Sequence, residues 1–370
     1  MGVINPEMLK RFLDYNRAYV RRLRRSRKNR WIFAVDAKIR RLYAECGKQN
    51  SPEQENAALA AVLNHYEEGP FWRAKKWLVC FLDDFSLFIR QFGKRKTIDR
   101  SDKNARDYYS LAVIVKNEAR YLREYILFYE ATGADRIYLY DNDSTDELMN
   151  VLDPFLKSGF VIYRKWPGRN VQAGAYRDAL RRTRSRTKWL AFIDADEFLF
   201  SPKGSMPDQL KAYEKYPGVG ANWVVYGPNG HERRPDGLVM DEYTTTLEEI
   251  NSGFNCHIKS IVQPKQVFLV YHPHFAVYKG KGYAVGEDFV PLDNRSTRAF
   301  SLMNNREIFR INHYNSKSLE DLREKCRKGY PDGSPNAKYE DQVRIVDCPM
   351  TEDYSIKPYA DYVRERYGDY

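Results

Sequence analysis

The spacing of apolar residues changes near residue 110 and divides the chain in two. Before that point apolar residues recur every three or four positions, as in Leu59, Val62 and Leu63, and predict amphipathic helices. From Ser110 onward, short apolar runs such as Leu111–Val115 alternate with amphipathic stretches. This alternation predicts an α/β fold with a mostly parallel sheet covered by helices on both faces.

The predicted elements of the second part follow one another closely. Strands are predicted at 111–115, 136–140, 160–164 and 189–193, with helices at 120–133, 146–152 and 172–182 between them. After Asp196 the sequence becomes irregular and rich in aromatic residues, with short strands predicted at 259–262 and 267–271. A last helix is predicted after Ser318, because Asp321 stands at capping distance from it.

These patterns predict three segments. They are a helical, basic N-terminal extension over 1–105, an α/β catalytic domain over 106–335 and a C-terminal tail over 336–370. The formal net charge of +11 is concentrated in the first segment, where most residues of Arg21–Arg30 are basic. A solvated helix face is the simpler interpretation of this run, and attachment to an anionic membrane surface or another polyanion is the alternative.

The cysteines and the apolar segments restrict the class of protein. Five widely spaced cysteines without a Cys-x-x-Cys pair indicate neither a disulfide framework nor a zinc module. The most apolar early stretch, 77–89, is interrupted by Asp83 and Asp84, so no membrane-spanning helix is predicted. Without a signal-peptide pattern in the first residues, we expect a cytoplasmic protein, peripheral at the inner face of the membrane if Arg21–Arg30 binds there.

Polar residues follow three of the predicted strands, at the edge of the sheet where ligands of such folds bind. The most informative group is Asp194, Asp196 and Glu197, which directly follow an apolar strand. Three carboxylates there repel one another and lose hydration unless a cation offsets them. Mg²⁺ or Mn²⁺ prefers oxygen ligands and also neutralises a departing diphosphate, so the sequence favours a divalent metal site over a solvated loop.

The other two groups are candidates for a nucleoside site. Asn117 and Glu118 follow the first strand, and Asp141 and Asp143 follow the second. Taken alone, the second group predicts a turn and a helix cap, but together the two loops offer hydrogen-bonding groups to a base and a ribose. No glycine-rich phosphate loop is present, so a metal has to take over its role.

Four segments in this order resemble glycosyltransferases of the GT-A type, of family 2 and more closely of family 92. They are Val113–Ala119, Tyr138–Asp146, Trp189–Leu199 and Ile311–Ser318. The resemblance covers about residues 110 to 330. It implies a nucleotide-diphospho-sugar transferase fold and an inverting transfer from a UDP-sugar, often of galactose, to a glycan or glycolipid hydroxyl.

The resemblance also implies roles for single residues. Asp194 and Asp196 match the metal-binding triplet, with Asp196 as the expected direct ligand of Mn²⁺ or Mg²⁺. His313 matches a histidine that reaches the metal or the diphosphate, although packing is the alternative for a lone histidine. The residues that match the lining of the nucleotide pocket are Asn117, Glu118, Asp141, Asp143 and Asp194.

Inversion needs one general base that takes the proton of the acceptor hydroxyl. Glu242 and Asp288 are the two candidates, and the Glu287-Asp288 pair is similar to that of family 2. Trp223 and His231 are candidates for the acceptor site, because an aromatic face packs against the C–H surface of a sugar.

Two other functions fit parts of the sequence. A nucleotidyltransferase also combines an α/β sheet with paired carboxylates, but the basic glycine-rich loop that it needs is absent. A nucleic-acid-binding protein would use the arginine run, but no recognised nucleic-acid module is evident, so we expect no nucleic acid as a partner.

Overall fold

The computed structural model describes most of the chain after residue 106. The described ranges are 107–169, 171–248, 254–272, 274–279, 283–290, 304–328 and 348–369, with the single residues 292, 301, 339 and 343. The helical extension predicted for 1–105, with the basic run Arg21–Arg30, lies outside the described residues. No helix in these ranges has the length and apolar character needed to cross a membrane.

The first half of the central sheet is parallel. Its strands are β1 (Asp107–Val115), β2 (Arg136–Asp141), β3 (Val161–Lys165) and β4 (Thr187–Phe192), joined by helices α1 (Ala119–Ala131), α2 (Leu148–Lys157) and α3 (Gln172–Thr183). They lie in the order β3-β2-β1-β4, with every pair parallel. Strands buried on both faces read as continuous apolar runs. These strand and helix predictions are confirmed, with ends that differ by a few residues.

The second half of the sheet contains antiparallel pairs. Its strands are β5 (Glu197–Phe200), β6 (Gly218–Val225), β8 (Ile258–Val262), β11 (Ala284–Val285) and β12 (Arg310–His313). The order continues as β4-β8-β6-β12-β5, and β11 pairs with β6. Strand β8 is antiparallel to both neighbours and β5 to β12, whereas β12 and β11 run parallel to β6. Five of the eight pairings in the described sheet are parallel, so the predicted mostly parallel α/β fold is confirmed.

Smaller elements complete the fold. They are the pairs β9 (Val267–His272) with β10 (Phe275–Tyr278) and β7 (Thr245–Leu247) with β13 (Met350–Glu352), and helices α4 (Met206–Leu210), α5 (Val239–Glu242), α6 (Leu319–Lys328) and α7 (Lys357–Arg366). The predicted strands 259–262 and 267–271 and the last predicted helix are thereby confirmed. The side chain of Ser318 accepts a hydrogen bond from the Asp321 N–H at 3.1 Å, as its capping role requires.

The segment predicted as a tail is part of the folded unit in its described portion, 348–369. Strand β13 pairs with β7, and the α7 residues Ala360 and Val363 are fully buried. The Tyr359 ring lies 5.5 Å from that of Phe128 and 5.3 Å from that of Phe200. Burial of this aromatic surface stabilises the packing of α7 against α1. The packing was not predicted, because the mostly polar sequence between residues 329 and 348 indicated a tail.

The sheet register brings one end of six strands to the same edge. Val115 is paired with Asp141 across β1 and β2, and Val225 with His313 across β6 and β12. Because β8 runs in the opposite direction, its first residues, including Lys259, lie at this same edge. The carboxyl ends of β1, β2, β3, β4, β6 and β12 thus meet the beginnings of the antiparallel strands β8 and β5, and all the predicted loops can converge there.

Candidate active site

The loops after β1 and β2 are joined by hydrogen bonds from backbone N–H groups to side-chain oxygens. The Asn117 N–H donates to the Ser144 hydroxyl at 3.0 Å, and the Asn117 side-chain oxygen accepts from the Thr145 N–H at 2.7 Å. The Ala119 N–H donates to the Asp146 carboxylate at 2.8 Å. Asn117 has a φ of 54°, a left-handed conformation that asparagine tolerates better than most residues. The structure brings these two predicted loops together as one hydrogen-bonded unit.

Asp141 and Asp143 are placed differently within that unit. The carboxylate of Asp141 is buried and accepts from the Ser144 N–H and the Tyr163 hydroxyl, both at 2.8 Å. Asp143 is exposed and has a φ of 58°. Asp141 therefore shapes the turn, whereas Asp143 presents its carboxylate to solvent, where a ligand can reach it.

Both carboxylate oxygens of Asp194 are bound by other side chains. One accepts from the Gln172 amide at 2.9 Å and the Tyr176 hydroxyl at 3.1 Å. The other lies 2.5 Å from the Lys259 ammonium. The Asp194 N–H donates to Glu197 at 2.8 Å. We call Asp194, Glu197, Lys259, Gln172 and Tyr176 the floor cluster, and its internal bonds leave Asp194 no oxygen without a protein partner.

Lys259 carries a charge inside the floor cluster. Its ammonium is 3.2 Å from the Glu197 carboxylate, and neither side chain is exposed at all. Burial lowers the pKa of Lys259, but the charges of Asp194 and Glu197 outweigh it and the pKa is raised. Burial also raises the pKa of Glu197, and Lys259 opposes that shift. A buried cation between two carboxylates reduces the repulsion that otherwise requires a metal ion.

Asp196 has different partners from Asp194. Its carboxylate lies 2.5 Å from the Lys325 ammonium and 3.6 Å from Nε2 of His313. Burial alone raises the pKa of Asp196, but the charge of Lys325, with a smaller contribution from His313, holds it well below its usual range. We call Asp196, His313 and Lys325 the rim cluster. The two aspartates of the triplet are thus held by separate sets of side chains.

His313 has the properties of a neutral nitrogen ligand. Burial lowers its pKa, and the charge of Asp196 only partly opposes this, so the imidazole is uncharged at neutral pH. Its Nδ1 is buried and has no hydrogen-bond partner among the described residues. The ring lies 4.1 Å from that of Trp223, which fixes its orientation. Sequence predicted this residue from the resemblance, and the structure places it beside Asp196.

The rim cluster fits a divalent ion with few protein ligands. Among the described residues no group of three or more His, Cys, Asp or Glu side chains is arranged to hold a metal. Asp196 and His313 still offer one carboxylate and one neutral imidazole close together. Mg²⁺ and Mn²⁺ sites commonly use one or two carboxylates and leave other positions to phosphate and water. The fit therefore depends on a ligand that brings its own phosphate oxygens.

Trp223 is surrounded by imidazole rings. The His257 ring stacks on it at 4.6 Å, and the His274 ring meets it edge-on at 5.2 Å. Trp223 is partly exposed and lies beside the rim cluster through His313. Its predicted role at the acceptor site stays a prediction. The contribution of His257 was missed, because a single histidine at the start of a strand gives no signal.

Glu242 and His231 are brought together by the loop after β6. The Glu242 carboxylate lies 3.2 Å from Nε2 of His231, and both side chains are partly exposed. The loop is tied to α1 by Arg120, which donates to Asp236 at 3.2 Å. The Leu319 N–H of α6 donates to the His231 carbonyl at 3.0 Å. This candidate base is therefore the last residue of α5, and its partner His231, the other predicted acceptor residue, lies in the loop that precedes that helix.

Asp288 lies in the turn after β11, and both its oxygens accept hydrogen bonds. One accepts from the Val290 N–H at 3.0 Å and the other from the Asn305 amide at 2.7 Å. The adjacent Asn304 amide donates to the Trp223 carbonyl at 2.8 Å. The structure thus links Asp288 to the segment behind Trp223. Within the described residues, no hydrogen bond or ion pair joins either candidate base to Asp196.

Three lysines and two other side chains of the site were not predicted. Lys259 is the one charged residue of the strand Ile258–Val262, and a charge in a short strand of mostly apolar residues is a usable signal for a buried partner of opposite charge. Lys325 and Lys328 lie among other charged residues of α6 and give no such signal. Gln172 and Tyr176 lie one turn apart on α3, where a polar pair is ordinary.

The sequence of the chain matches a known family of proteins. The model of glycosyltransferase family 92 matches residues 110–334, more than half of the chain. A family 92 protein of Oryza sativa subsp. japonica is 28% identical over 214 residues, which cover 55% of this chain and 36% of that protein. A family 92 protein of Ricinus communis is 27% identical over 177 residues, covering 44% and 31%. The chain spans about a third of the length of these curated relatives.

Solved structures show a more distant similarity. The structure of S. aureus TarS 1–349 in complex with UDP-GlcNAc gives a TM-score of 0.33 at 12% identity, covering 70% of this chain and 73% of that one. The structure of GalNAc-T7 with UDP, GalNAc and Mn²⁺ gives a TM-score of 0.31 at 11% identity, covering 73% and 58%.

Proposed function

The chain belongs to glycosyltransferase family 92, and from this premise we propose that it transfers a sugar from a UDP-sugar to a hydroxyl of a glycan or glycolipid. The proposed transfer inverts the anomeric centre and uses Mn²⁺ or Mg²⁺, with a hexose, galactose first, as the sugar. The observation that carries the proposal is the position of Asp196 and His313 at the sheet edge where the two interlocked loops end. Because the chain belongs to this family, we no longer consider the nucleotidyltransferase and the nucleic-acid-binding protein as alternatives.

The proposed donor site begins at the interlocked loops. Asn117 and Asp141 hold the two loops in one shape, and exposed Asp143 offers a carboxylate to the ribose or the base. Glu118 lies at the start of α1, where it pairs with Lys328 at 2.6 Å. Rigid loops of this kind lower the entropy lost when a nucleotide is bound, because little of the site has to be ordered.

In the proposed reaction, Asp196 and His313 hold the divalent ion. The ion, when bound, neutralises charge on the diphosphate as it leaves. Asp194 serves as a positioning residue, because its bonds to Lys259, Gln172 and Tyr176 fix the backbone that carries Asp196. A fixed backbone keeps the Asp196 carboxylate at one place in the site, as pre-organised catalysis requires.

On the acceptor side, Glu242 is the better candidate for the general base. Its carboxylate is partly exposed and pairs with His231, whereas both oxygens of Asp288 already accept hydrogen bonds. A base needs a free lone pair within hydrogen-bonding distance of the acceptor hydroxyl. The partly exposed face of Trp223, next to His313, supports a place for the acceptor sugar.

The test of the proposed function is a donor screen. Full-length protein is incubated with UDP-, GDP- and TDP-sugars, with and without Mn²⁺, and release of the nucleoside diphosphate is measured. We expect Mn²⁺-dependent hydrolysis of one or more UDP-sugars, and a loss of at least about 100-fold in Asp196→Ala. Equal turnover in the variant, or no turnover and no thermal shift with any donor, refutes the proposal.

We also propose that the protein acts in the cytoplasm at the inner face of the membrane. The support is the basic run Arg21–Arg30, since each basic residue near an anionic surface contributes about 1 kcal/mol. Full-length protein is expected to sediment with vesicles that contain phosphatidylserine at low salt and to be released at high salt. Absence from the vesicle pellet at low salt contradicts this location.

A further inference from the structure

Helix α6 places two lysines over the proposed donor site. Lys325 and Lys328 are three residues apart, so their side chains leave the same face of the helix. The Lys325 ammonium is 2.5 Å from Asp196, and that of Lys328 is 2.6 Å from Glu118. Lys325 therefore pairs with a carboxylate that was predicted to bind the metal, and Lys328 with one that was predicted to line the nucleotide pocket, although the two carboxylates follow different strands.

The start of α6 is fixed, which gives these lysines defined positions. The Asp321 carboxylate accepts from the Ser318 hydroxyl at 2.6 Å and from the Tyr121 hydroxyl of α1 at 2.9 Å. The Lys317 ammonium lies 4.5 Å from the centre of the Tyr121 ring. The backbone of α6 is thus anchored to α1 beside the donor loops, whereas the long stems of Lys325 and Lys328 can still turn.

Lys325 differs from Lys259 in what its charge can reach. Lys259 is fully buried under Asp194, so its ammonium cannot contact a ligand in the pocket. Lys325 is 28% exposed, and its ammonium also contacts the Asn315 carbonyl and side-chain oxygens at 3.1 and 2.6 Å. A partly exposed ammonium on a flexible stem can exchange one anionic partner for another at low cost.

The charges in the pocket make such an exchange favourable. Without Lys325 and Lys328, the carboxylates of Asp196 and Glu118 repel a diphosphate, whose two phosphates are both negative. A divalent ion and the Lys325 ammonium also compete for the same Asp196 carboxylate, since each is held there by opposite charge. When the ion takes Asp196, the displaced ammonium is left beside the newly bound phosphates.

On the basis of the proposed function, we propose that Lys325 and Lys328 form a subsite for the donor diphosphate. In the donor-free protein Lys325 forms an ion pair with Asp196 and competes there with the divalent ion, and Lys328 forms an ion pair with Glu118. When ion and donor bind, both ammonium groups turn to the phosphate oxygens. Lys325 therefore has two opposite effects: it weakens binding of the ion alone and strengthens binding of the nucleotide.

Two titrations of the full-length protein test this inference. Mn²⁺ alone is titrated and free Mn²⁺ is followed by electron paramagnetic resonance, and UDP is then titrated calorimetrically at saturating Mn²⁺. We expect Lys325→Met to bind Mn²⁺ about tenfold more tightly and UDP about tenfold more weakly. Lys328→Met is expected to weaken UDP binding by a similar factor. It should leave Mn²⁺ binding unchanged, because Lys328 pairs with Glu118 and not with Asp196.

The matched control is Lys188→Met. Lys188 also pairs with a carboxylate, Glu214 at 3.2 Å, but lies near the start of β4, at the far edge of the sheet. We expect this variant to bind both ligands like the wild type. Lys325→Arg keeps the charge and is expected to stay within about threefold of wild-type UDP affinity.

The outcomes separate the inference from the proposed function. If the wild type binds Mn²⁺ and UDP but Lys325→Met leaves either affinity unchanged, the lysine subsite is wrong and the proposed function stands. If Mn²⁺ binds Lys325→Met more weakly than the wild type, competition at Asp196 is excluded. If the wild type binds neither Mn²⁺ nor any uridine nucleotide, the proposed function fails and the subsite fails with it.

Discussion

The floor cluster and the rim cluster begin from two aspartates only two residues apart, yet they differ in what holds each carboxylate. Exposure does not separate them, since the side chain of Asp194 is 32% exposed and that of Asp196 only 14%. The exposure of their cationic partners does separate them, because Lys259 is fully buried whereas Lys325 is 28% exposed. We therefore expect a carboxylate held by a buried cation to be structural, and one held by a partly exposed cation to be available to ligands.

This difference explains how one acidic triplet can serve both stability and chemistry. Repulsion among Asp194, Asp196 and Glu197 is relieved by two lysines that come from distant parts of the chain. Lys259 relieves it permanently, because removing a charge partner from a buried site leaves an uncompensated charge. Lys325 relieves it only until another cation arrives, because its ammonium can move to solvent or to phosphate.

The largest expected effect is on stability, in the floor cluster. Lys259→Met leaves Asp194 and Glu197 without their buried cation, and we expect it to lower the free energy of unfolding by about 3–5 kcal/mol. Equilibrium denaturation in urea measures this change. Lys325→Met is the comparison, with a smaller expected loss because Lys325 is 28% exposed and water can partly solvate the remaining Asp196 carboxylate. Equal losses in the two variants contradict the distinction between the clusters.

The next effect is on catalysis, in the rim cluster. Asp196→Asn is expected to reduce kcat/KM at least about 100-fold, or roughly 3 kcal/mol of transition-state stabilisation, because the charge that holds the ion is lost. Its free energy of unfolding should change little. Asp194→Asn should instead affect stability more than kcat/KM. We expect a lower melting temperature, because the Lys259 ammonium loses a charged partner. A variant at Asp194 that folds normally but loses all activity argues against a purely positioning role.

A carboxylate outside both clusters gives the smallest predicted effect and sharpens the comparison. Glu124 on α1 is buried, forms no ion pair among the described residues, and accepts from the N–H groups of Val239 and Met240 at 2.8 and 2.9 Å. Burial raises its pKa from 4.5 to about 7, although the two backbone hydrogen bonds oppose the shift. The folded protein thus keeps a proton that the unfolded chain has already released between these values.

The sign of the pH effect follows from this proton. Because the pKa is raised on folding, the contribution of Glu124 to stability is full below pH 4.5 and is lost as the pH rises to about 7. We expect the free energy of unfolding to fall by about 2 kcal/mol over this interval, and Glu124→Gln to remove that fall. Urea denaturation of both proteins at pH 5 and pH 7.5 measures the difference. A wild type and variant with parallel pH profiles contradict the assignment.

Sequence predicted the parallel half of the fold better than the antiparallel half. Strands such as β1 and β4 are buried on both faces, so each of them was predicted from a continuous apolar run. Strand β5, Glu197–Phe200, was not predicted, because it is short and begins with the last residue of the acidic triplet. Its partner, β12, lies more than a hundred residues away along the chain. Pairings of that separation leave no local pattern.

The same reason limited the prediction of the site. Asp194, Asp196 and the residues of the two loops were found because strand ends mark where ligands bind. His313 was found only through the resemblance, and its packing on Trp223 is a contact across β6 and β12. The lysines that decide the roles of the two aspartates come from β8 and α6, and no spacing along the chain connects them to the triplet.

The packing of α7 on α1 has a consequence for how the protein can be cut. The matched segment ends at residue 334, but Ile356, Ala360 and Val363 close the apolar surface around Phe128 and Phe200. A recombinant fragment that stops at residue 334 leaves that surface open to water, and such surfaces promote aggregation. The boundary of family similarity is therefore not the boundary of an autonomous folding unit, which extends at least to the end of α7.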